Sequence, residues 1–224
     1  MTDLITPEIQ RIINDRFNGG GIFLANSFVY QVSTFGRHFP NCLEMCAGPG
    51  YIGRSILANK LCTKLILSDI NQEALDHGRT LYEENPSISY YQSDNLKSIP
   101  KTQKFDLVVG NPPNYYDVQK NHYVGKALQV DLRPNDRGRK IHKEFYSTIR
   151  PFLNPGAMVL IQEIAPFKSE VFIGDNINPY DIRPRIPLID FSEMIQESGL
   201  RFLGVIPYLI RGNMDTYFFL STNL

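Results

Sequence analysis

The chain has 224 residues, of which 42% are apolar and 21% are charged, and its 23 basic residues balance 23 acidic ones. This composition is typical of a globular domain, and a net charge of zero provides no overall positive field of the kind that accompanies tight non-specific nucleic-acid binding. No apolar run approaches the roughly 18 residues of a membrane helix, and residues 1–10 lack the pattern of a secretory leader, so we expect a cytoplasmic protein without a membrane segment.

The start of the chain is predicted to be helical. Residues 7–17 have the apolar spacing of a short amphipathic helix, with Thr6 as its cap and Pro7 at its first position. Residues 23–39 are rich in aromatic rings, which either cover a cofactor or pack into the core, and we favour packing. We predict two parts, a helical segment or lid at residues 1–40 and one globular domain at residues 41–224.

A glycine-rich turn between a predicted strand and a predicted helix is the first candidate site. Residues 42–46 are mostly apolar, and Gly48, Gly50 and Gly53 then fit the pattern G-x-G-x-x-G. Glycines at such a turn allow backbone conformations that other residues avoid, and they let a ligand approach the main chain. A glycine turn before a helix also occurs in loops that bind no ligand, so the turn by itself is a weak indication of a nucleotide-like cofactor.

A second strand and an acidic residue strengthen that indication. The apolar run at residues 64–68 ends in Asp69, about 20 residues beyond the glycines, where a nucleotide site has the carboxylate that binds ribose hydroxyls. Strand, glycine turn, helix, strand and acid therefore occur in the order of a nucleotide-binding unit.

The rest of the chain alternates strands with helices. Strands are predicted at residues 42–46, 64–68, 88–92, 104–110, 156–162, 201–208 and 215–220, and helices after Asn71 and at residues 137–149 and 189–197. This alternation predicts an α/β fold with a Rossmann-like, doubly wound and mostly parallel seven-stranded sheet. Only about six residues, 209–214, separate the last two strands, so we expect them to form an antiparallel hairpin at the sheet edge.

Two long irregular segments and a basic run remain. Residues 115–135 and 165–187 show no clean period and are predicted to be functional loops that cover a substrate. The basic run consists of Arg133, Arg137, Arg139, Lys140, His142 and Lys143. It binds either the phosphates of a nucleic acid or an acidic protein surface, or it is a solvated helix face balanced by Asp131, Asp136 and Glu144. For His38, His77 and His122 we expect ordinary surface or core positions.

Residues 41–220 together resemble the class I S-adenosylmethionine-dependent methyltransferases, whose sheet ends in such a hairpin. Glu44, placed before the glycine turn, resembles the acid of their first motif, Asp69 the ribose-binding acid, and Asp94 the residue beside the adenine. The resemblance implies S-adenosyl-L-methionine as the cofactor, with contacts from Glu44, Cys46, Ala47, Gly48, Gly50, Asp69, Ile70, Asp94, Asn95 and Asn111. It implies no metal ion, and the three cysteines lack histidines at zinc-ligand spacing.

Asn111, Pro112 and Pro113 follow the fourth predicted strand and are similar to the Asn-Pro-Pro-Tyr motif of methyltransferases that act on planar nitrogens. The acceptors of that group are adenine N6, guanine N2 and the side-chain amide of protein glutamine. Such a nitrogen shares its lone pair with a π-system, so the site must hold its N–H hydrogens with acceptors that favour pyramidal geometry. The resemblance makes these three residues catalytic: the Asn111 oxygen and the Pro112 carbonyl accept the hydrogens, and the proline pair stiffens the backbone.

The fourth position of the motif departs from the family. It is Asn114 where the family usually has an aromatic ring, and Tyr115 or Tyr116 takes the stacking role if the loop bulges by one residue. These three residues are therefore the predicted substrate-binding group.

The leading functional prediction is methyl transfer from S-adenosylmethionine to a planar amide or amino nitrogen of a protein or nucleic acid. A small-molecule amine fits the site argument nearly as well. An NAD-dependent oxidoreductase shares the glycine turn and the acid, but it explains neither Asn-Pro-Pro nor the hairpin. The third alternative is a catalytically inactive, cofactor-binding subunit of a complex. The active enzyme could also have a small partner subunit.

Overall fold

A computed structural model describes residues 21–81, 85–113, 140–164, 188–211 and 214–224. Several sequence predictions fall outside these residues. They are the helix at residues 7–17, the irregular segments at 115–135 and 165–187, the substrate-binding group Asn114, Tyr115 and Tyr116, and His122, Arg133, Arg137 and Arg139 of the histidine and basic predictions.

Seven strands form one sheet. They are β1 (Phe39–Met45), β2 (Cys62–Asp69), β3 (Ile88–Gln92), β4 (Phe105–Gly110), β5 (Leu153–Ile164), β6 (Arg201–Arg211) and β7 (Met214–Thr222). Their order across the sheet is β3-β2-β1-β4-β5-β7-β6. The pairs among β1 to β5 are parallel, whereas β7 is antiparallel to both β5 and β6. The predicted α/β class, the mostly parallel seven-stranded sheet and the C-terminal antiparallel hairpin are confirmed.

Helices cover both faces of this sheet. They are α1 (Gly21–Thr34), α2 (Tyr51–Ala58), α3 (Gln72–Leu81), α4 (Lys140–Ile149) and α5 (Leu188–Glu197). Apolar residues of α1, α2 and α3 form one core cluster with one face of the sheet, and those of α4 and α5 form a second cluster with the other face. Asn71 caps α3 as expected, because its Oδ1 accepts hydrogen bonds from the backbone of Glu73 (3.0 Å) and Ala74 (3.4 Å).

The helix α1 lies within residues 1–40, which the sequence predicted to be a helical segment or lid, but its bounds were not predicted although a signal for them exists. Leu24, Phe28 and Val32 are spaced by four residues and are buried, which is the stripe of a helix that packs on a core. The Phe28 ring meets Phe218 of β7 edge to face, with the ring centroids 4.7 Å apart. At Phe28 the aromatic segment therefore packs into the core, and its role as a lid stays a prediction.

Several strand boundaries differ from the sequence prediction: β1 begins three residues earlier than expected, β2 is longer at both ends, and β5 and the hairpin differ most. β5 begins at Leu153, ahead of Asn154 and Pro155, with a register shift against β4 between Phe105 and Leu107 that accommodates a proline near the strand start. The hairpin strands pair as far as Arg211 and Met214, so residues 212–213 separate them instead of the six expected. In the part of the chain that the structure describes, no helix is long and apolar enough to span a membrane.

Candidate active site

The carboxyl ends of β1, β2 and β4 meet at one edge of the sheet. Met45, the last residue of β1, is in register with Ser68 of β2 and with Gly110 of β4. The residues that follow these strands therefore leave the sheet side by side. This is the crevice, where the strand order reverses, in which open α/β sheets bind ligands.

The glycine turn after β1 has the tight geometry that its sequence predicts. The N–H of Gly50 donates to the Ala47 carbonyl oxygen at 2.8 Å, and Gly50, at φ +82°, is the residue that precedes α2. A Cβ on residue 50 would lie 2.4 Å from Leu67 Cδ1, so a side chain there is excluded by both space and backbone. A Cβ on Gly48, at φ +52°, would have no atom of the described residues within 4 Å, so this residue faces open space among them.

Glu44 is buried beneath the glycine turn and is hydrogen-bonded to the backbone of α2. Its Oε2 accepts the N–H of Gly53 at 2.7 Å. Burial raises the pKa of Glu44 to about 8, although the hydrogen bond from Gly53 and the positive charge of Arg54 act in the opposite direction. A Cβ on residue 53 would lie 2.7 Å from that same oxygen, so the contact requires the third glycine. Glu44 thus ties β1 to α2, and its contact with a cofactor stays a prediction.

Asp69, at the end of β2, joins the turn to the next loop. Its Oδ2 accepts the N–H of Gly48 at 2.7 Å, and its Oδ1 accepts the N–H of Asn71 at 2.8 Å. Burial raises the pKa of Asp69, while these backbone N–H groups favour the charged form. Each carboxylate oxygen has more than one acceptor position, so Asp69 can still bind the hydroxyls of a ribose. The adjacent Ile70 is 49% exposed and provides an apolar surface beside it.

Asp94 and Asn95 lie on the loop after β3. A hydrogen bond joins this loop to the carboxyl end of β2. The N–H of Ser93 donates to the Asp69 carbonyl oxygen at 2.8 Å. The exposed Asp94 side chain pairs with Lys97 at 2.7 Å, and Lys97 also pairs with Glu144 of α4 at 2.9 Å. This loop is therefore linked both to β2 and to the opposite helix.

Backbone strain marks two of the predicted cofactor contacts. Cys46 (φ +49°) and Asn95 (φ +59°) are non-glycine residues in the left-handed region, and within the described ranges only Lys60 shares this property. Such conformations cost of the order of 1–3 kcal/mol and concentrate at functional sites. The Asn95 side chain donates to the carbonyl oxygen of Ile141 in α4 at 2.9 Å, which helps to hold the loop in place.

Asn111, Pro112 and Pro113 continue from β4 directly beside the glycine turn. A Cβ on Gly110 would lie 2.5 Å from Met45 Cγ and 3.0 Å from the Met45 carbonyl oxygen, so the two strand ends are in close contact. Pro112 is buried, whereas Asn111 and Pro113 are half-buried. The structure thus brings the predicted catalytic residues next to the predicted cofactor residues.

One residue of the predicted basic run, His142, is buried. His142 is 2% exposed and is hydrogen-bonded through Nε2 to Oε1 of Glu163, which is fully buried near the end of β5. The His142 ring also meets Phe191 of α5 edge to face at 5.6 Å. His142 therefore cannot bind phosphates at the surface, and the prediction that it belongs to a basic surface is wrong. Lys140 and Lys143 are exposed, as expected.

Sequence reasoning missed four residues that shape this edge. Glu163 was not singled out, although a lone charge in an apolar strand is a recognisable sign of a buried pair. Gly78 of α3 lies so close to the turn that a Cβ there would meet the Pro49 carbonyl oxygen at 2.3 Å. The buried Arg54 donates to the Gly78 carbonyl oxygen at 3.0 Å. Gln162, beside Glu163, is likewise buried.

Comparison with known families identifies the family of the chain. Residues 15–130, just over half of the chain, match the family model described as the methyltransferase small domain. The chain belongs to the methyltransferase small domain family. The resemblance to methyltransferases that the sequence indicated is thereby confirmed.

Curated proteins similar to this methyltransferase small domain chain carry two descriptions. A release factor glutamine methyltransferase of Leptospira interrogans is 32% identical over 147 residues, which cover 61% of this chain and 50% of that protein. A bifunctional methyltransferase of Rickettsia conorii is 27% identical over 139 residues, which cover 59% of this chain and 26% of that protein. The chain thus spans half or less of the length of these relatives.

Solved structures similar to this methyltransferase small domain chain share its architecture. The N-methyltransferase NodS of Bradyrhizobium japonicum WM9, in complex with S-adenosyl-L-homocysteine, has a TM-score of 0.62 at 15% identity and covers 99% of this chain and 94% of its own. An S-adenosylmethionine-dependent methyltransferase of Clostridium acetobutylicum has a TM-score of 0.63 at 11% identity, with coverage of 96% and 98%. At these identities the likeness concerns the fold.

Proposed function

We propose that the protein transfers a methyl group from S-adenosyl-L-methionine to the side-chain amide nitrogen of a glutamine in another protein. The observation that carries the proposal is the contact between the ends of β1 and β4, because it brings Asn111 and Pro112 beside the glycine turn. Membership of a methyltransferase family and the likeness to a glutamine methyltransferase support the choice of reaction and acceptor.

The residues at the edge of the sheet fit the proposed cofactor. Open space in front of Gly48 leaves room for a ligand against the main chain, and the Asp69 oxygens keep acceptor positions for ribose hydroxyls. Ile70 and the loop at Asp94 provide the surface for the adenine. When bound, the cofactor supplies an activated methyl group on a positively charged sulfur.

The acceptor is held by the Asn-Pro-Pro segment. The Asn111 side-chain oxygen and the Pro112 carbonyl oxygen accept the two N–H hydrogens of the target amide and favour a pyramidal nitrogen. The two prolines restrict the backbone, so both acceptors keep their positions while the nitrogen approaches the methyl group. The protein thus contributes orientation, and Tyr115 or Tyr116 contributes the stacking surface.

The variant Asn111→Ala tests this assignment. We expect turnover to fall about 100-fold or more, because one acceptor for the amide hydrogens is lost. Affinity for S-adenosyl-L-homocysteine stays within about twofold, since Asn111 acts mainly on the acceptor. Turnover is measured as transfer of labelled methyl groups to a purified release factor, and affinity is measured by calorimetry. Unchanged turnover would remove Asn111 from the mechanism.

A matched control lies at the amino ends of the parallel strands, opposite to the proposed site. Asn154 is also an asparagine at a strand end, and its Nδ2 donates to Asp106 Oδ1 at 2.8 Å, far from the site. Asn154→Ala should retain wild-type turnover once its fold is verified.

Calorimetry with NAD in place of S-adenosyl-L-homocysteine separates a methyltransferase from an oxidoreductase, because a methyltransferase does not bind NAD.

The class of acceptor is tested separately. Labelled methyl donor is incubated with the protein and a cell extract, and portions are treated with protease, nuclease or size filtration. A protein acceptor is expected, so the label should be lost to protease and survive nuclease. Label that is sensitive to nuclease would instead identify adenine or guanine as the target, and label that passes the filter would identify a small molecule.

A further inference from the structure

One buried amide lies at the carboxyl end of β5, beside the Asn-Pro-Pro segment. Gln162 is only 5% exposed. Gly110 of β4 is in register with Ile161 of β5, so Asn111 and Gln162 are the next residues on the two neighbouring strands. The two amides therefore leave adjacent strands at the same level of the sheet.

Both amides belong to the same face of the sheet. Val109 and Leu160, two residues before Asn111 and Gln162, lie in the core cluster that includes α1, α2 and α3. Side chains alternate between faces along extended backbone, and Pro112 favours extended backbone at Asn111. Phe218 of β7, the register partner of Gln162 on its other side, lies in the same cluster. The geometry thus directs Gln162 to the side on which Asn111 lies.

The Gln162 side chain has no hydrogen bond to any residue of the described ranges. Its polar atoms are not among the side-chain atoms that lack both solvent contact and a hydrogen-bond partner, so the amide keeps some contact with solvent. The neighbouring buried polar residue, Glu163, has His142 as its partner on the opposite face. Next to the predicted acceptor site, an amide that makes no hydrogen bond within the described residues and reaches solvent is free to bind a ligand.

We propose that Gln162 binds the acceptor, with its side-chain N–H donating to the carbonyl oxygen beside the methylated nitrogen. The inference rests on the proposed function, since a glutamine amide presents both groups together. Asn111 and Pro112 accept the N–H hydrogens of that amide, and its oxygen then needs a donor, which a glutamine side chain supplies. A primary amine lacks this oxygen, so the site would distinguish amides from amines.

The expected effect is on acceptor binding more than on the rate of transfer. A hydrogen bond to the carbonyl oxygen favours the planar form of the amide, which does not make its nitrogen a better nucleophile. Gln162 should therefore lower KM for the acceptor and leave kcat almost unchanged. This split separates a binding residue from one that acts only in the transition state.

The test compares two variants of Gln162 with the wild type, using a purified release factor as acceptor. Gln162→Leu removes the amide, and Gln162→Met keeps the unbranched shape of the side chain but has no hydrogen-bond donor. For both variants we expect KM to rise about 10- to 100-fold, with kcat and S-adenosyl-L-homocysteine affinity within about twofold of wild type. Folding is checked by circular dichroism and by the retained cofactor affinity.

Ser221→Ala is the matched control. Ser221 is fully buried on β7, and its hydroxyl likewise has no hydrogen-bond partner within the described residues. It pairs with Val159, away from the carboxyl edge, so its loss should leave KM unchanged. A KM that stays within twofold in both Gln162 variants would overturn the inference while the proposed function stands. A wild-type protein that binds S-adenosyl-L-homocysteine but leaves the release factor unmethylated would overturn the protein acceptor and, with it, the role of Gln162.

Discussion

At the scale of single residues, two carboxyl groups, the buried Glu44 and the half-buried Asp69, organise the glycine turn. Glu44 accepts the N–H of Gly53, and Asp69 accepts the N–H groups of Gly48 and Asn71. Burial raises the pKa of both groups, that of Glu44 to about 8. The turn is therefore held in part by a side chain whose charge depends on pH near neutrality.

Replacing Glu44 by glutamine should make stability less dependent on pH. The folded state raises the pKa of Glu44 from 4.5 to about 8, so between these values the folded protein binds a proton that the unfolded chain releases. The stability present below the lower value is therefore lost as pH rises, by an amount on the order of a few kcal/mol. The free energy of unfolding of Glu44→Gln, measured with urea from pH 5 to 8.5, should depend less on pH than that of the wild type, because glutamine does not titrate. Glutamine can still accept the hydrogen bond from Gly53.

The exposed Glu73 of α3 provides the comparison for this measurement. Glu73→Gln changes the same chemical group at the surface, so the slope of stability against pH should match the wild type. Equal slopes for wild type and Glu44→Gln would mean that Glu44 is not the group responsible.

The sequence predicted these backbone positions better than it predicted the directions of side chains. Gly48, Gly50 and Asp69 follow from spacing, because the turn and the strand end need those residue types. His142 was assigned to the surface because lysines flank it, yet Phe145 and Tyr146 follow at helical spacing and share its buried face. Charge along the chain is a poor guide to exposure when the helical face decides it.

At the scale of secondary-structure elements, α3 and the glycine turn form one packed unit. The helix approaches the turn at Gly78, where even a methyl group would overlap the Pro49 carbonyl oxygen. Arg54 of α2 bonds to the Gly78 carbonyl oxygen and joins the two helices. The position of the turn therefore depends on a glycine 28 residues further along the chain than Gly50.

Gly78→Ala should destabilise the protein and weaken cofactor binding. Alanine favours a helix over glycine by about 1 kcal/mol, but overpacking costs about 1–3 kcal/mol and displaces Pro49. Denaturant unfolding should show a net loss of stability, and calorimetry a reduced affinity for S-adenosyl-L-homocysteine. Thr80→Ala, an exposed change in the same helix, should leave both unchanged. If Gly78→Ala were more stable than the wild type, α3 would be free to move away from the glycine turn, and the predicted overlap with Pro49 would be wrong.

Elements with a strong local pattern were predicted almost to the residue, and the exceptions have physical reasons. The strand at residues 88–92 agrees at both ends because turn residues bound it on each side. β5 runs past its predicted limits because pairing with β4 and β7, on either side, carries it through Asn154 and beyond Gln162. Pairing of this kind depends on distant parts of the chain and leaves no local trace.

At the scale of the whole molecule, the proposed cofactor site gathers loops from β1, β2, β3 and β4. A ligand bound there would contact the loops that follow four of the five parallel strands. Ligand binding to the folded state alone stabilises it, by about 2.7 kcal/mol at a hundredfold excess over Kd. The melting temperature is therefore a direct measure of site occupancy.

S-adenosyl-L-homocysteine at a concentration of a hundred times Kd should raise the melting temperature by about 5–10 °C for a domain of this size. NAD at the same concentration should leave it unchanged. The measurement is differential scanning calorimetry of the full chain. An equal shift with both ligands, or none with either, would contradict the proposed cofactor.

The global arrangement was predictable only in part. Alternation of strands and helices implies a parallel sheet, and a short link implies a hairpin, so the fold class follows from order along the chain. Which hairpin strand lies inside does not follow, because both strands are apolar. The structure places β7 between β5 and β6.

The outer strand β6 is interrupted twice. Its register with β7 shifts between Phe202 and Gly204 and again between Pro207 and Leu209. Irregularities of this kind keep an exposed edge from acting as a template for a strand of another molecule. Crowded copies of the protein would thus resist edge-to-edge aggregation on this side, even though Leu203 is 43% exposed there.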